Sequence, residues 1–300
     1  MLAQQCINGV SVGGIYALLS TGYALIYSLL GFSNWAHGEI AMLGAYIAVL
    51  SVGYPHIPFA LSVLMALVGA ALISAINERF FYRHIRSTNS PTMFLMIAAM
   101  GLSTTYKNLV VVLVGPKFKY FPQILPMDSI RLFGMNIGVL DLLSIAIALV
   151  AIVVLDFLIY RTRFGLAVRG CASDPITAQL LGVNVNRYIF MVFLLAGALA
   201  GCAGVLLGMK YTVYPSLGNV ALKAFIASVF GGLGSIHGAI IGAFLIGLFE
   251  TLVSAYLSSG LRDLFTFGLL ISILLVRPEG LLGDRELWSF LPGFGPKRRG

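Results

Sequence analysis

Long apolar runs alternate with short polar stretches along the whole chain. The runs cover approximately residues 7–30, 35–53, 58–77, 92–114, 138–160, 188–209, 220–257 and 262–277. None of them shows the strict period-two alternation of a half-buried strand, and most approach the about 20 residues that cross a bilayer as a helix. Lipid cannot satisfy the hydrogen bonds of an exposed backbone, so the runs are predicted to be helices. The pattern predicts an all-α polytopic membrane protein with a single transmembrane domain over residues 1–300.

The run over residues 220–257 is too long for a single crossing of about 20 residues. Its glycines at Gly231, Gly232 and Gly234 offer a place where the helix can break. Dividing the run there gives nine crossings, within a range of eight to ten, and makes some of the helices broken ones. Within another run, Gly197 and Gly201 form a GxxxG pair, which is typical of a helix packed closely against its neighbours.

The composition agrees with a membrane location. Hydrophobic residues make up 59% of the 300 and charged residues 10%, whereas soluble domains carry about 25% charged residues. Mean hydropathy is +0.96. The polar stretches are too short to form a separate soluble domain.

The net charge of +8 is explained by membrane topology. Basic residues are scattered between apolar runs instead of forming a face, so a nucleic-acid partner is not expected. Twelve of the nineteen lie in three polar stretches, namely residues 79–86, residues 161–187 and a tail from Arg277 onward. Because basic loops stay in the cytoplasm, the N-terminus is predicted outside and the basic tail at 284–300 inside.

Residues 161–187 form a polar island between two apolar runs, and this island carries its own helix signals. Asp174 is a good N-cap, Pro175 suits the first helical position and Gly182 can supply a left-handed stop. A helix of about two turns is therefore predicted over residues 175–181. We expect it to display Ala178 and Leu181 on one face.

A second polar segment, at residues 33–39, contains His37, Gly38 and Glu39 between two apolar runs. It is either a broken helix beside a transport pathway, acting as a hinge or gate, or an ordinary turn between two helices. His37 and Glu39 lie two residues apart on different helix faces and have no further ligand nearby, so a metal site is not expected.

Residues 231–238 partly repeat this segment and include Gly234 and His237. Each segment is followed by a similar Gly-Ala-aromatic triplet, at Gly44 and at Gly242. The similarity indicates either an internal inverted repeat, as transporters often have, or coincidence between glycine-rich spans.

Catalytic motifs are not found in the sequence. It contains no phosphate-binding loop of the GxxxxGK[ST] type and no metal-ligand set, and Ser235 and His237 lack a third partner for hydrolysis. The cysteines Cys6, Cys171 and Cys202 form no CxxC pair. The chain is therefore expected to be neither an enzyme nor a cofactor-binding protein, and energy from ATP must reach it through a partner. Glu250, inside an apolar run, is either a functional acid or a helix-packing group.

Several short motifs, which follow one another along the chain in the same order as in a known family, carry a resemblance to that family. In the N-terminal half they are Asn8-Gly9, residues 14–18, residues 34–39 and residues 44–46; in the C-terminal half they are residues 163–165, Arg169, residues 174–185, residues 200–204, residues 231–234 and residues 277–283. Together they resemble the permease subunits of bacterial branched-chain amino-acid ABC transporters of the LivH type. The match extends over essentially the whole chain.

The resemblance implies a type II-like ABC importer in the bacterial inner membrane. Its partners would be a second permease of similar fold, two cytoplasmic ATPase subunits that bind the ATP, a periplasmic substrate-binding protein and membrane lipid. Leu, Ile and Val would be the cargo, with other hydrophobic amino acids, urea, amides or sugars as alternatives. A stand-alone secondary transporter or channel is the competing class.

The resemblance also assigns roles to residues. ATPase coupling falls to Arg163, Gly165, Arg169, Asp174, Pro175, Ala178, Leu181 and Gly182. The two glycine-interrupted polar segments themselves, read as broken helices, place the pathway or its gate at Asn34, His37, Gly38, Glu39, Gly234 and His237.

Overall fold

Twelve α-helices and one short hairpin make up the described part of the computed structural model, which comprises residues 2–54, 57–88, 90–122, 129–132 and 135–283. The helices are α1 (Leu2–Leu30), α2 (His37–Val52), α3 (Phe59–Ile76), α4 (Arg83–Ser87), α5 (Thr92–Leu113), α6 (Val139–Arg161), α7 (Arg163–Ser173), α8 (Pro175–Leu180), α9 (Val185–Lys210), α10 (Ala221–Gly231), α11 (Ile236–Tyr256) and α12 (Arg262–Val276). The predicted basic tail at 284–300 lies outside the described residues.

Shorter elements join these helices. A π-helical turn, Asn77–Tyr82, continues α3 into α4, and 3-10 turns at Leu217–Val220 and Ser259–Leu261 precede α10 and α12. Strands β1 (Ser129–Leu132) and β2 (Met135–Gly138) pair antiparallel with Ser129 opposite Gly138. The sequence pattern did not predict this hairpin, because two four-residue strands leave too short a signal between apolar runs.

Seven helical segments are long and apolar enough to cross a membrane. They are Leu2–Leu30, Phe59–Ser87, Thr92–Leu113, Val139–Arg161, Val185–Lys210, Ile236–Tyr256 and Ser259–Val276. Two further apolar segments, His37–Val52 and Leu217–Gly231, are shorter. At about 1.5 Å per residue these two extend about 24 and 22 Å, less than the about 30 Å of the hydrocarbon core. The predicted helical membrane architecture is confirmed, and seven rather than nine of its helices have full spanning length.

The predicted break in the run over residues 220–257 is also confirmed. Helix α10 ends at Gly231, and α11 begins at Ile236. Gly232 and Gly234 between them have φ of +119° and +87°, in the left-handed region that favours glycine. The chain therefore turns here without strain.

Helices α1 and α9 form the centre of the bundle. Helix α1 is buried over nearly all of Gly9 to Ile26 and packs against α6, α9, α10 and α11. Helix α9 packs against α2 and α3 as well. Helices α3, α5, α6 and α12 surround this centre and expose many of their large apolar side chains.

The two ends of the bundle carry different helices and loops. The end that carries α4, α7 and α8, called here the α8 end, also holds the C-terminus of α1 and the break between α10 and α11. At the opposite end, Lys210 at the C-terminus of α9 meets Ser11 of α1 and Asp141 of α6.

The closest helix contacts occur at glycines of α9. A Cβ atom on Gly197 would lie 2.7 Å from the carbonyl oxygen of Ala70, and one on Gly204 would lie 1.9 Å from the carbonyl oxygen of Ala41. The prediction that the GxxxG helix packs closely is confirmed. Because lipid provides no hydrophobic drive between helices, such contacts supply the dispersion energy that holds the bundle together.

We expect Gly204→Ala to destabilise the protein by about 1–3 kcal/mol, because the new methyl group must displace α2 from α9. The matched control is Gly101→Ala on α5, where a Cβ atom meets nothing within 4 Å. Thermal unfolding of the detergent-purified proteins, followed by size-exclusion chromatography, measures the difference. Equal melting temperatures for the two variants would contradict the packing argument.

Candidate functional site

The polar island at the α8 end folds into two helices with defined ends. Thr162 caps α7, since its side-chain oxygen accepts a hydrogen bond from the Gly165 N–H at 3.2 Å. Asp174 caps α8 by accepting from the Ile176 N–H at 2.9 Å and from the Thr177 hydroxyl. Pro175 occupies the first turn of α8, as predicted.

The C-terminal stop of α8 is also as predicted. Gly182 adopts φ +83°. Its N–H donates to the Gln179 carbonyl at 2.9 Å, and the Val183 N–H donates to the Ala178 carbonyl at 3.0 Å. This pattern satisfies carbonyls that a helix end otherwise leaves free. The chain thus holds α8 at both ends by local hydrogen bonds.

The expectation that Ala178 and Leu181 share an exposed face is wrong. Ala178 is only 5% exposed because it packs under α9, in the cluster that contains Val185 and Ile189. Leu181 follows the last helical residue, where the backbone has left the α conformation, and is 79% exposed. The apolar surface of α8 is instead formed by Ile176, Leu180 and Leu181, which are all exposed.

The capping hydrogen bonds of Asp174 also lower the pKa of its carboxyl group. Hydrogen bonds from the Thr177 side chain, then from the backbone N–H groups of Thr177 and Ile176, hold its pKa below its usual value. A group with a lowered folded-state pKa contributes stability above its unfolded pKa and loses it as the pH falls through the folded value. The Asp174 cap therefore makes its full contribution to stability at neutral pH.

The other predicted coupling residues lie on α7 beside α8. Gly165 is buried, and a Cβ there would come within 2.0 Å of the Ile159 carbonyl oxygen, so only glycine permits the tight junction with α6. Arg163 is exposed. The Arg169 guanidinium lies over the Tyr160 ring, 5.3 Å from its centroid.

The break between α10 and α11 lies at the same end as α7 and α8. Gly234 lies near Tyr27 and Ser28 of α1. His237 is more than half exposed; it pairs with Asp156 at 2.9 Å and lies against the Tyr160 ring. The structure therefore places Gly234 and His237 beside the α7 segment, apart from Glu39.

Residues 33–39 lie inside the bundle, where the N-terminus of α2 meets the 3-10 turn that precedes α10. Asn34 is buried, and its Oδ1 accepts from the Tyr82 hydroxyl at 2.8 Å. His37 is fully buried, with its ring edge-on to Tyr23 at 4.7 Å. Gly38 approaches the backbone of the turn before α10, since its Cβ position lies 2.6 Å from the Gly218 carbonyl oxygen. Asn34, His37 and Gly38 fix the junction by close packing.

Of the predicted gate residues Asn34, His37, Gly38 and Glu39, Glu39 is the one that lines a cavity. It lines a cavity of about 130 Å³ together with Tyr23, Ser33, Trp35, Ser103, Gly218, Asn219, Leu222 and Phe225. Only 5% of Glu39 is exposed, and its Oε2 has no hydrogen-bond partner among the described residues. Its Oε1 accepts from Ser103 at 3.4 Å. A Cβ on Gly218 would come within 2.4 Å of Oε2, so glycine makes room for the carboxylate.

Glu250 lies at the centre of a network of charged side chains that the sequence did not predict. The Glu250 carboxylate accepts hydrogen bonds from the Tyr16 hydroxyl at 2.9 Å and from Lys223, and it pairs with Arg262 at 3.2 Å. Lys223 also pairs with Asp263 at 2.8 Å. Glu250 is thus neutralised by cations from α10 and α12, as a packing group would be. The sequence pattern singled out Glu250 but did not indicate that Lys223, 27 residues earlier, pairs with it.

The described residues include no group of three or more His, Cys, Asp or Glu side chains that could hold a metal ion. What the arrangement offers is a membrane-embedded cavity with one unpaired carboxylate and, at one end, an exposed apolar helix held by caps. The fold and these two features define a multi-pass membrane transport protein.

The chain belongs to the branched-chain amino acid transport system permease component family, whose model matches residues 5–274. It is 39% identical to the high-affinity branched-chain amino acid transport system permease protein BraD of Pseudomonas aeruginosa, over 95% of this chain and 96% of that protein. It is 37% identical to the corresponding protein LivH of Escherichia coli K12, with the same coverage. The resemblance drawn from the sequence motifs is confirmed.

A solved structure shows a similar fold. An inward-facing conformation of a putative metal-chelate type ABC transporter matches with a TM-score of 0.52 at 19% sequence identity, over 90% of this chain and 85% of that one. At this identity the match concerns the fold alone.

Proposed function

We propose that this chain is one of two membrane-spanning subunits of a bacterial inner-membrane ABC importer for branched-chain amino acids. The observation that carries the proposal is the 37–39% identity to branched-chain amino acid permease proteins over 95% of the chain. The partners are a second permease of similar fold, two cytoplasmic ATPases and a periplasmic binding protein. ATP is bound by the ATPases, and the chain itself holds no cofactor.

The proposed topology places the N-terminus outside and the α8 end in the cytoplasm, as the arginines of residues 161–187 favour. The chain makes nine crossings. The two short helices complete theirs with the non-helical segments before them, at residues 31–36 and 211–216. Non-helical backbone at membrane depth is tolerated where protein buries it.

The ATPase docks on α8 in this proposal. Ile176, Leu180 and Leu181 form an apolar patch on a helix that caps hold rigid, at the end of the bundle where α7 joins α8 to α6. Such a patch on a polar loop is a protein-binding surface, because lipid does not cover it. Ala178 carries the movement inward, since it packs under α9.

The cavity at Glu39 is a section of the proposed pathway. Broken membrane helices place substrate sites near the middle of the bilayer, where charged groups and half-helix ends meet the cargo. The unpaired Glu39 carboxylate suits the α-ammonium group of an amino acid, and Leu222, Phe225 and Trp35 suit its apolar side chain. The paired state of Glu250 gives no comparable support to ion-driven transport.

Reconstitution of the chain with the four partner subunits tests the function. We expect uptake of radiolabelled leucine into proteoliposomes that requires both the binding protein and ATP. Omitting the ATPase subunits is the control. Leucine uptake driven by an ion gradient without any ATPase would overturn the proposal in favour of a secondary transporter.

For the coupling helix, we expect Leu180→Glu and Leu181→Glu each to reduce substrate-stimulated ATP hydrolysis and uptake at least about tenfold, since a buried charge at the centre of an interface removes most of its binding energy. Leu257→Glu is the matched control, because Leu257 is 58% exposed at the opposite end of the bundle. Retained uptake in both α8 variants, with the protein in the membrane, would refute docking on this patch.

For the pathway, we expect Glu39→Gln to lower maximal leucine uptake about tenfold while basal ATP hydrolysis stays intact, because the amide keeps the shape but loses the charge that attracts an ammonium group. Glu39→Asp should retain part of the uptake. Glu279→Gln, a carboxylate outside the cavity, controls for loss of charge. Wild-type uptake by Glu39→Gln would exclude Glu39 from the pathway.

A further inference from the structure

The outward face of α3 carries an unbroken apolar stripe. Its members follow the i, i+3, i+4, i+7 spacing of one helix face and are all exposed: Leu61, Leu64, Met65, Val68, Leu72 and Ile76. This spacing keeps them on one side of the helix. Helix α3 thus presents one continuous hydrocarbon surface along its length.

The stripe leads into a groove of about 510 Å³ between α3 and α9 at the α8 end. Its apolar part is formed by Leu72, Ala75, Ile76, Phe80 and Phe190. Its polar part is formed by Arg79, Arg83, Arg187, Asn184 and Asn186. The groove is therefore amphipathic, with its polar groups at the end farther from the apolar stripe of α3.

The three arginines of the groove are not neutralised by the protein. Among the described residues, none of Arg79, Arg83 and Arg187 forms an ion pair with a carboxylate. The nearby Glu78 is fully buried and is already paired with Arg86 at 3.0 Å. The groove carries three positive charges that no described carboxylate balances.

A membrane span that begins at Phe59 brings the arginines to the level of the lipid headgroups. Arg79 follows Phe59, the first residue of α3, by twenty positions, which is about 30 Å at the rise of an α-helix. That distance equals the thickness of the hydrocarbon core. A lipid whose acyl chains lie along the α3 stripe therefore places its phosphate among Arg79, Arg83 and Arg187.

We propose that this groove is a specific site for an anionic phospholipid such as phosphatidylglycerol. The arginines and the asparagine amides donate to the phosphate oxygens, and a net negative headgroup balances charges that a zwitterionic lipid leaves unmatched. Continuity with the apolar stripe favours a lipid over a protein partner, since a protein surface would have to match a full-length hydrocarbon face as well. The inference depends on the fold and charge of this chain and not on its cargo.

A tryptophan reporter in the groove tests the proposal. In Phe190→Trp, purified with its co-purifying subunits, phosphatidylglycerol with brominated acyl chains should quench the added fluorescence more than brominated phosphatidylcholine does. The parent protein supplies the background from other tryptophans. Leu72→Trp on the opposite wall serves as a second reporter if Phe190→Trp does not fold.

Removing the charges should remove the preference. Each of Arg79→Gln, Arg83→Gln and Arg187→Gln should lower the phosphatidylglycerol preference about fivefold, as expected for one basic group at an anionic membrane surface. Arg161→Gln, an exposed arginine of the same end outside the groove, should leave it unchanged, and Arg79→Lys should retain most of it.

Three outcomes would overturn the site. Equal quenching by the two lipids would mean an unselective annular position. An undiminished preference in the triple glutamine variant would mean that other groups bind the phosphate. A reporter that neither lipid quenches would mean that protein covers the groove.

Discussion

The bundle depends on backbone-to-backbone contact between helices at glycine. In a bilayer, apolar side chains gain little by leaving lipid for protein, so helix association rests on dispersion contacts and on the few polar bonds across helices. Gly9, Gly13 and Gly247 bring α1 against α11, and Gly204 brings α9 against α2. These contacts allow short and broken helices to stay buried, because neighbouring helices enclose the exposed backbone ends.

Charges within this bundle fall into two kinds. Those near the opposite end are paired: Lys210 with Asp141, and Lys223 with Glu250. Each such pair joins two helices, and loss of one partner would leave an uncompensated buried charge. Glu39 and the groove arginines have no such partner among the described residues, and both border open cavities. An unpaired charge that borders a cavity is available to a ligand, whereas a paired charge is committed to helix packing.

The sequence predicted features that depend on neighbours along the chain. Asp174, Pro175 and Gly182 set the limits of α8 through bonds that span a few residues, and the glycines at 231–234 broke a helix where the run was too long. Burial of Ala178 could not be predicted, since it depends on where α9 packs. The cavity at Glu39 could not be predicted, because it requires Gly218 from a distant part of the chain. Hydropathy gives the length of a run but not the depth of its helix, so it did not indicate that two of the nine predicted crossings contain helices shorter than a full span.

Residues 277–283 return from α12 to the end of α10. The Leu281 N–H donates to the Phe230 carbonyl at 2.9 Å and the Leu282 N–H to the Gly231 carbonyl at 2.8 Å. Helix α10 is thereby tied at the α8 end, while its other end carries Lys223 and adjoins the turn that faces Glu39. Helix α10 has eleven residues and is about 16 Å long. Because its Leu222 and Phe225 line the Glu39 cavity, a tilt of this short helix at the α8 end would displace the cavity wall.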